Sequence, residues 1–364
     1  MAMTSLGAAA AMNADTTTEP KLDPVAYAKQ RHREAPLRLR FNATTPGAAR
    51  AWQRKLRVKL TELVGGFPEA RVPLEPRVIE RKDFGTYTRE KITFTSRPGM
   101  QVLAYLLRPK NVDSAPPVMI CVPGHGRGVD DIVGIDEQGN ERTIKAGYQA
   151  DFAIQFVEQG MAALAIEPLA FGHRRDPIHV AKGPNQNACQ PAAGAALLLG
   201  ETMIGWRVFD VMRAIDYAET RKDVDARRVG CVGISGGGTC TLFAAALDTR
   251  IQAAMVSGYL NTFRDSILSL AHCMDNYVPG ILNWAEMSDV AGLVAPRPLF
   301  CETGEQDRIF PLVGFQEAAA ATEKIYAAMG QRDRFATEVH SGGHVFHGAK
   351  GVPYVAQYLK GMKA

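Results

Sequence analysis

Continuous apolar runs occupy residues 117–122, 161–166, 229–234, 251–256 and 298–302, and segments with helical spacing lie at 148–158, 204–219, 237–246 and 313–329. Strands apolar on both faces, alternating with helices, predict a mostly parallel sheet covered by helices on both sides. A last strand near 335–339 and a helix near 353–360 extend the series. Ahead of it, residues 89–96 alternate polar and apolar, 101–107 are rich in strand formers, and Arg97-Pro98-Gly99 reads as the turn between them. The domain is therefore expected to open with antiparallel strands. Further upstream, Trp52, Leu56, Leu60 and Leu63 recur at helical intervals before Gly65-Gly66. This predicts an amphipathic helix over 47–63 whose apolar stripe faces the core rather than a membrane.

In an open α/β sheet, functional loops gather beyond the carboxyl ends of the parallel strands. Three connections, 127–146, 170–200 and 260–289, exceed ordinary loop lengths and read as site walls or small inserted helices. With 364 residues, one enlarged α/β domain is the economical reading. It is divided into a flexible N-terminus (1–20), an extension packed on the main domain (21–84) and the main domain itself (85–364). The 46% hydrophobic content supplies a globular core.

Forty-two basic residues are nearly offset by 38 acidic ones, leaving a formal charge of +4. The cluster Arg31, Arg33, Arg38 and Arg40 is too local for a nucleic-acid stripe, so no nucleic-acid partner is expected. No transmembrane run and no secretion signal are evident, which points to a cytoplasmic protein without a membrane partner and leaves a processed leader open. The six cysteines form no CxxC pair and suit buried or reduced thiols, although their even number leaves disulfides open. Oligomeric state is not legible, and a homo-oligomer stays open.

The strongest chemical signal is Gly233-Ile234-Ser235-Gly236-Gly237, which ends an apolar strand and precedes a helical segment. G-x-S-x-G in that context projects a serine hydroxyl above the sheet, and the small flanking residues permit close packing. Ser235 is thus the candidate nucleophile; the plain alternative is a Gly-rich turn that ends a strand. A serine needs a base. His344, following Gly342-Gly343 near the C-terminus, is the candidate, with His340 and His347 as competitors. Asp307, in the polar loop after the strand at 298–302, is the candidate acid that holds the imidazole tautomer; Glu302 and Glu305 could replace it.

The loop Val122-Pro123-Gly124-His125-Gly126-Arg127-Gly128 can aim a backbone N–H at a developing oxyanion. The Arg127 N–H is favoured, with Gly126 as its neighbour, and the Gly236 N–H is the second donor. His125 is read as a loop-shaping residue. Glu167 either tunes substrate binding or, preferentially, organises the loop through Arg174. No H-E-x-x-H or compact Cys/His set is present, so neither a metal nor another cofactor is expected. The one metal arrangement left open is convergence of His125, His173 and an acid.

On Pro123–Gly128, Gly233–Gly237, the loop to Asp307 and Gly343-His344, the chain resembles the α/β-hydrolase superfamily over about residues 85–360. More narrowly, it is similar to dienelactone-hydrolase-like and acetyl-xylan-esterase-like bacterial serine esterases. The order Ser235, Asp307, His344 matches that superfamily's order. The resemblance implies an α/β-hydrolase fold and hydrolysis of carboxylic esters through an acyl-enzyme, on short-chain or acetyl esters, including those of saccharides. Two departures matter: the nucleophile is serine where true dienelactone hydrolases use cysteine, and Arg127 stands where acetyl xylan esterases often have an aromatic residue. A serine peptidase, a hydrolase recognising carboxylates through Arg127 or Arg174, and a non-catalytic binding protein of the same fold are the alternatives.

Overall fold

A computed structural model describes residues 21–362, so the flexible segment expected over 1–20 lies outside the described residues. The chain opens with helices α1 (Pro24–Arg33) and α2 (Pro46–Leu63), followed by strands β1 (Arg77–Asp83), β2 (Tyr87–Arg97), β3 (Met100–Pro109) and β4 (Pro117–Val122). Then come α3 (Val129–Ile132), α4 (Phe152–Glu158), β5 (Ala162–Ile166), α5 (Pro177–Ala181), α6 (Cys189–Leu198), α7 (Met203–Thr220) and β6 (Asp225–Ile234). The remainder is α8 (Gly236–Leu247), β7 (Ile251–Ser257), α9 (Met287–Gly292), β8 (Leu299–Gly304), α10 (Leu312–Ala328), β9 (Phe335–His340) and α11 (Gly351–Gly361).

The nine strands form one sheet in the order β1-β2-β3-β5-β4-β6-β7-β8-β9. The first four in that order pair antiparallel, and from β5 onward every pairing is parallel. This is the mixed, largely parallel, helix-covered sheet that the apolar runs predicted. Side chains alternate between its faces with the strand period of two. Val118, Ile120 and Val122 of β4 join Leu164, Leu242 and Phe243 on the face covered by α2 and α7 to α10. Met119 and Cys121 of the same strand face Phe152, Phe156 and Val355 of α4 and α11.

The extension is fastened to the main body. Thr45 caps α2 by accepting from the Ala48 N–H, and Ala49, Trp52, Leu56 and Leu60 are buried along one stripe. Gln53 donates to the carbonyls of Gly292 and Ala295, and Arg57 to those of Ala246 and Leu293. The polar rim of α2 thus satisfies carbonyls at the ends of α8 and α9. Among the described residues, no helix is long and apolar enough to cross a membrane.

Candidate active site

β6 stops at Ile234 and α8 begins at Gly236, so Ser235 alone makes the turn, at φ 57° and ψ −124°. This backbone region is costly for a residue with a Cβ and persists only where neighbouring structure enforces it. The enforcement is visible: a Cβ on Gly233 would collide with the Gly237 carbonyl, and one on Gly237 with the Val122 carbonyl of β4. A Cβ on Gly124 would fall 3.1 Å from that of Ser235. Strand, loop and helix therefore meet at a distance only glycine permits. Ser235 makes no side-chain capping bond to α8, so its hydroxyl is left to a cavity of about 350 Å³ that it lines.

His344 lines the same cavity. Its Nδ1 lies 2.7 Å from Asp307 Oδ2, while Nε2 bonds no protein group. Tyr148 and Phe310 stack on the ring, with centroids at 5.9 and 5.7 Å. Gly258 passes beneath it at φ +50°, where an added Cβ would lie 2.9 Å from Cε1 of His344. The carboxyl of Asp307 is fixed at its other oxygen by the N–H groups of Ile309 (2.8 Å) and Phe310 (3.0 Å). Burial opposes ionisation of Asp307, but the bonds from His344, Phe310 and Ile309 hold its carboxyl below the usual range. An imidazole held through Nδ1–H by a carboxylate presents a bare Nε2, which can accept a proton. No hydrogen bond joins Nε2 to the Ser235 hydroxyl in this conformation, and such bonds commonly tighten only when substrate is bound.

The competing residues are engaged elsewhere. Glu302 accepts from Ser257 and from the N–H groups of His347 and Gly348, and Glu305 is exposed. His340 is buried with Nδ1 on the Ser341 carbonyl, and His347 stacks on it while facing Glu338.

From the glycine-rich loop after β4, His125 reaches the cavity wall; Gly126 and Arg127 line a neighbouring groove with Asp136 and Arg142. The Arg127 guanidinium donates to Asp131 (2.7 Å) and to the Ile135 carbonyl (2.6 Å), which staples the 127–146 connection. Tyr148 donates to the His125 carbonyl. Gly236, at the start of α8, sits against His125, because a Cβ there would come within 2.9 Å of its ring. Arg174 donates to the Glu167 carbonyl and to Asp210 Oδ2 and stays inside the protein.

Glu167 is fully buried. Its carboxylate accepts from the Val129 N–H (3.0 Å) and the His173 N–H (3.2 Å), clamping the loop after β4 to the loop after β5. Added Cβ atoms on Gly128 or Gly172 would strike that carboxylate. The organising role thus runs through backbone N–H groups, while Arg174 holds the Glu167 carbonyl. Desolvation, partly countered by His173, pushes Glu167 up to about 7 from a usual 4.5. A carboxyl raised on folding contributes stability at low pH that is lost as pH climbs from about 4.5 to about 7. Thermal unfolding across that window should therefore show Glu167→Gln lacking one component of the wild-type decline. That component amounts to at most about 3 kcal/mol for a shift of this size, and superimposable pH slopes would contradict it.

The remaining cavity wall comes from the 260–289 connection, which contributes Leu270, Ala271, His272, Cys273 and Asn276. Together with Tyr148, Ile309 and Phe310 this makes a mainly apolar chamber with a few polar groups, and among the described residues no Arg or Lys lines it. Sequence reasoning had no signal for Tyr148 or for this segment beyond its length. His173 pairs with Asp130 at 2.8 Å, and among the described residues no cluster brings His125, His173 and an acid together. His125 turns instead toward Asp275, Cys189 and Cys273, the group whose donor atoms could hold a metal.

The Abhydrolase family profile matches residues 32–341. The chain is 27% identical over 304 residues to the "Putative hydrolase YtaP" of Bacillus subtilis (strain 168), covering 81% of this chain and 94% of that protein. In three dimensions it is similar to a "putative acetyl xylan esterase" from Bacteroides fragilis NCTC 9343, with a TM-score of 0.80 and 20% identity over 94% of this chain and 96% of that one. It is also similar to a glucuronoyl esterase from Solibacter usitatus, with a TM-score of 0.65 and 18% identity over 86% and 94% of the two chains. At such identities the structural likenesses speak to the fold.

Proposed function

Since the chain belongs to the Abhydrolase family, we propose that it is a serine carboxylic-ester hydrolase acting on short-chain or acetyl esters, including acetylated saccharides. The observation that carries this reading is one cavity wall bearing both Ser235 and an imidazole anchored to a carboxylate. His344 Nε2 takes the hydroxyl proton as Ser235 Oγ attacks the ester carbonyl, and the imidazolium that forms is stabilised by Asp307. The oxyanion is met by the Gly236 N–H at the start of α8 and by a backbone N–H of the His125–Arg127 loop. His344 then gives its proton to the departing alcohol, and a water activated by the same nitrogen releases the acid from the acyl-enzyme.

A cavity of about 350 Å³ that no Arg or Lys lines among the described residues favours a small neutral ester. Arg127 and Arg174, the two candidates for binding a substrate carboxylate, are consumed by Asp131 and Asp210. The names carried by the structural relatives, acetyl xylan esterase and glucuronoyl esterase, support an ester as the bond cleaved. A panel of p-nitrophenyl acetate, butyrate and octanoate, acetylated xylo-oligosaccharides and peptide amides tests the proposal. The acetyl ester is expected to exceed the octanoate in kcat/KM by roughly tenfold or more. Peptide cleavage without ester cleavage would favour the peptidase reading. Failure of a serine-directed phosphonate to label Ser235 would favour a binding protein.

A further inference from the structure

Behind the cavity, three chain segments far apart in sequence bring four donor side chains together. His125 comes from the loop after β4, Cys189 from the first turn of α6, and Cys273 and Asp275 from the 260–289 connection. One donor atom from each lies within 4.8 Å of all the others. The separations given by geometry are 3.4 Å between His125 Nε2 and Asp275 Oδ2, 4.0 Å between that nitrogen and Cys189 Sγ, and 3.8 Å between Cys189 Sγ and Asp275 Oδ2. Metal–ligand bonds of about 2.0–2.1 Å to nitrogen or oxygen and about 2.3 Å to sulfur give tetrahedral edges of roughly 3.3 Å for N–O and roughly 3.6 Å for N–S and S–O. The three observed edges exceed these by only a few tenths of an ångström, so His125, Cys189 and Asp275 already stand near three corners of a tetrahedron, and Cys273 Sγ lies within 4.8 Å of each of them.

The charges close as well. Two thiolates and a carboxylate carry three negative charges. A divalent cation and the Arg207 guanidinium supply three positive ones. Arg207, itself buried, donates to Asp275 Oδ2 and to Cys189 Sγ (3.3 Å), and Asn276 donates to the other Asp275 oxygen (3.0 Å). Partners of this kind orient ligands and stabilise anionic donors. Asp275 and Cys189 are fully or almost fully buried, while His125 and Cys273 are partly exposed toward the cavity, which gives a route of entry.

We propose that His125, Cys189, Cys273 and Asp275 bind one divalent cation of the zinc type. Two sulfurs, one imidazole nitrogen and one carboxylate oxygen form a borderline-soft donor set that selects zinc over magnesium or calcium. With four protein ligands the site is closed and structural. It ties the loop presenting His125 to α6 and to the connection that walls the cavity, and the cation itself takes no part in the proposed acyl transfer. Binding releases the two thiol protons, with no oxidation or reduction.

The test uses the full chain, isolated from zinc-supplemented medium under reducing conditions and dialysed. Metal analysis is expected to find about one zinc per chain, and Cys189→Ser and Cys273→Ser to lower retention at least tenfold, with Cys301→Ala as the control that retains it. Adding zinc in hundredfold excess over its Kd to metal-free protein should raise Tm by about 4 °C. A cobalt titration of the wild type needs no variant: intense tetrahedral visible bands and thiolate-to-metal absorption, ending at one equivalent, are the expected result. Cobalt uptake without thiolate absorption, no uptake by folded protein, or a Cys189–Cys273 disulfide in place of metal binding would overturn the proposal. None of these readouts depends on ester hydrolysis.

Discussion

Replacing Ser235 by alanine is expected to lower kcat for p-nitrophenyl acetate by on the order of 10⁵-fold, with no loss of fold. In the proposed mechanism the hydroxyl oxygen is the atom that forms the acyl bond, and the residual rate then comes only from the backbone donors and the shape of the cavity. The side chain makes no capping bond to α8, so its removal leaves no structural partner unsatisfied. Glycine at the same position separates chemistry from stability. Ser235 sits at φ 57°, a conformation that costs a residue with a Cβ about 1–3 kcal/mol. Ser235→Gly relieves that strain and gives back about 0.5–1 kcal/mol through the greater freedom of the unfolded chain. Both variants should be inactive, and the glycine variant should unfold at a higher temperature than the alanine variant. Wild-type turnover in Ser235→Ala would remove the nucleophile assignment, and a glycine variant less stable than alanine would remove the strain argument.

What the sequence made legible follows from which signals are local. The parallel strands announce themselves because they are apolar on both faces: β4 occupies Pro117–Val122 as read, and β7 and β9 depart from their readings by one residue at the carboxyl end. β1 was missed because Arg77-Val-Ile-Glu-Arg-Lys-Asp is an edge strand that is almost entirely exposed and charged, a composition that protects an edge and carries no burial pattern. α1 was missed for a related reason: none of its residues is buried, so no apolar stripe exists to be seen. α4 begins at Phe152 rather than 148 because Ala150 and Asp151 adopt positive φ. At the site, Ser235 was legible through its glycines, and Asp307 and His344 through their position after strands. The stacking of Tyr148 on His344 and the meeting of His125 with Cys189 and Asp275 were not, since tertiary packing alone brings such distant segments together. Arg127 illustrates the limit. Its place in the loop was legible, but nothing local revealed that Asp131 and the Ile135 carbonyl would claim its guanidinium.

Exchanging Asp307 for asparagine should reduce kcat by about 10³–10⁴-fold while leaving KM and the fold close to wild type. The two oxygens of Asp307 have separate tasks: one accepts from the Ile309 and Phe310 N–H groups that shape the turn, and the other faces His344 Nδ1. Asparagine satisfies the turn with its carbonyl oxygen, which places its NH₂ group against the imidazole. Nδ1 must then be the acceptor, so the ring proton moves to Nε2 and points toward Ser235. A nitrogen that already carries a proton cannot take one from the hydroxyl, and no carboxylate remains to stabilise the imidazolium. Alanine at 307 should behave differently, since it leaves the two turn N–H groups without their acceptor and so costs stability as well as rate. The comparison therefore needs both kinetics and thermal unfolding: a large kcat loss at nearly constant Tm for Asp307→Asn, and a loss of both for Asp307→Ala. Near-wild-type turnover in the asparagine variant would assign the orienting role to another group and leave the His344–Asp307 contact as a purely structural one.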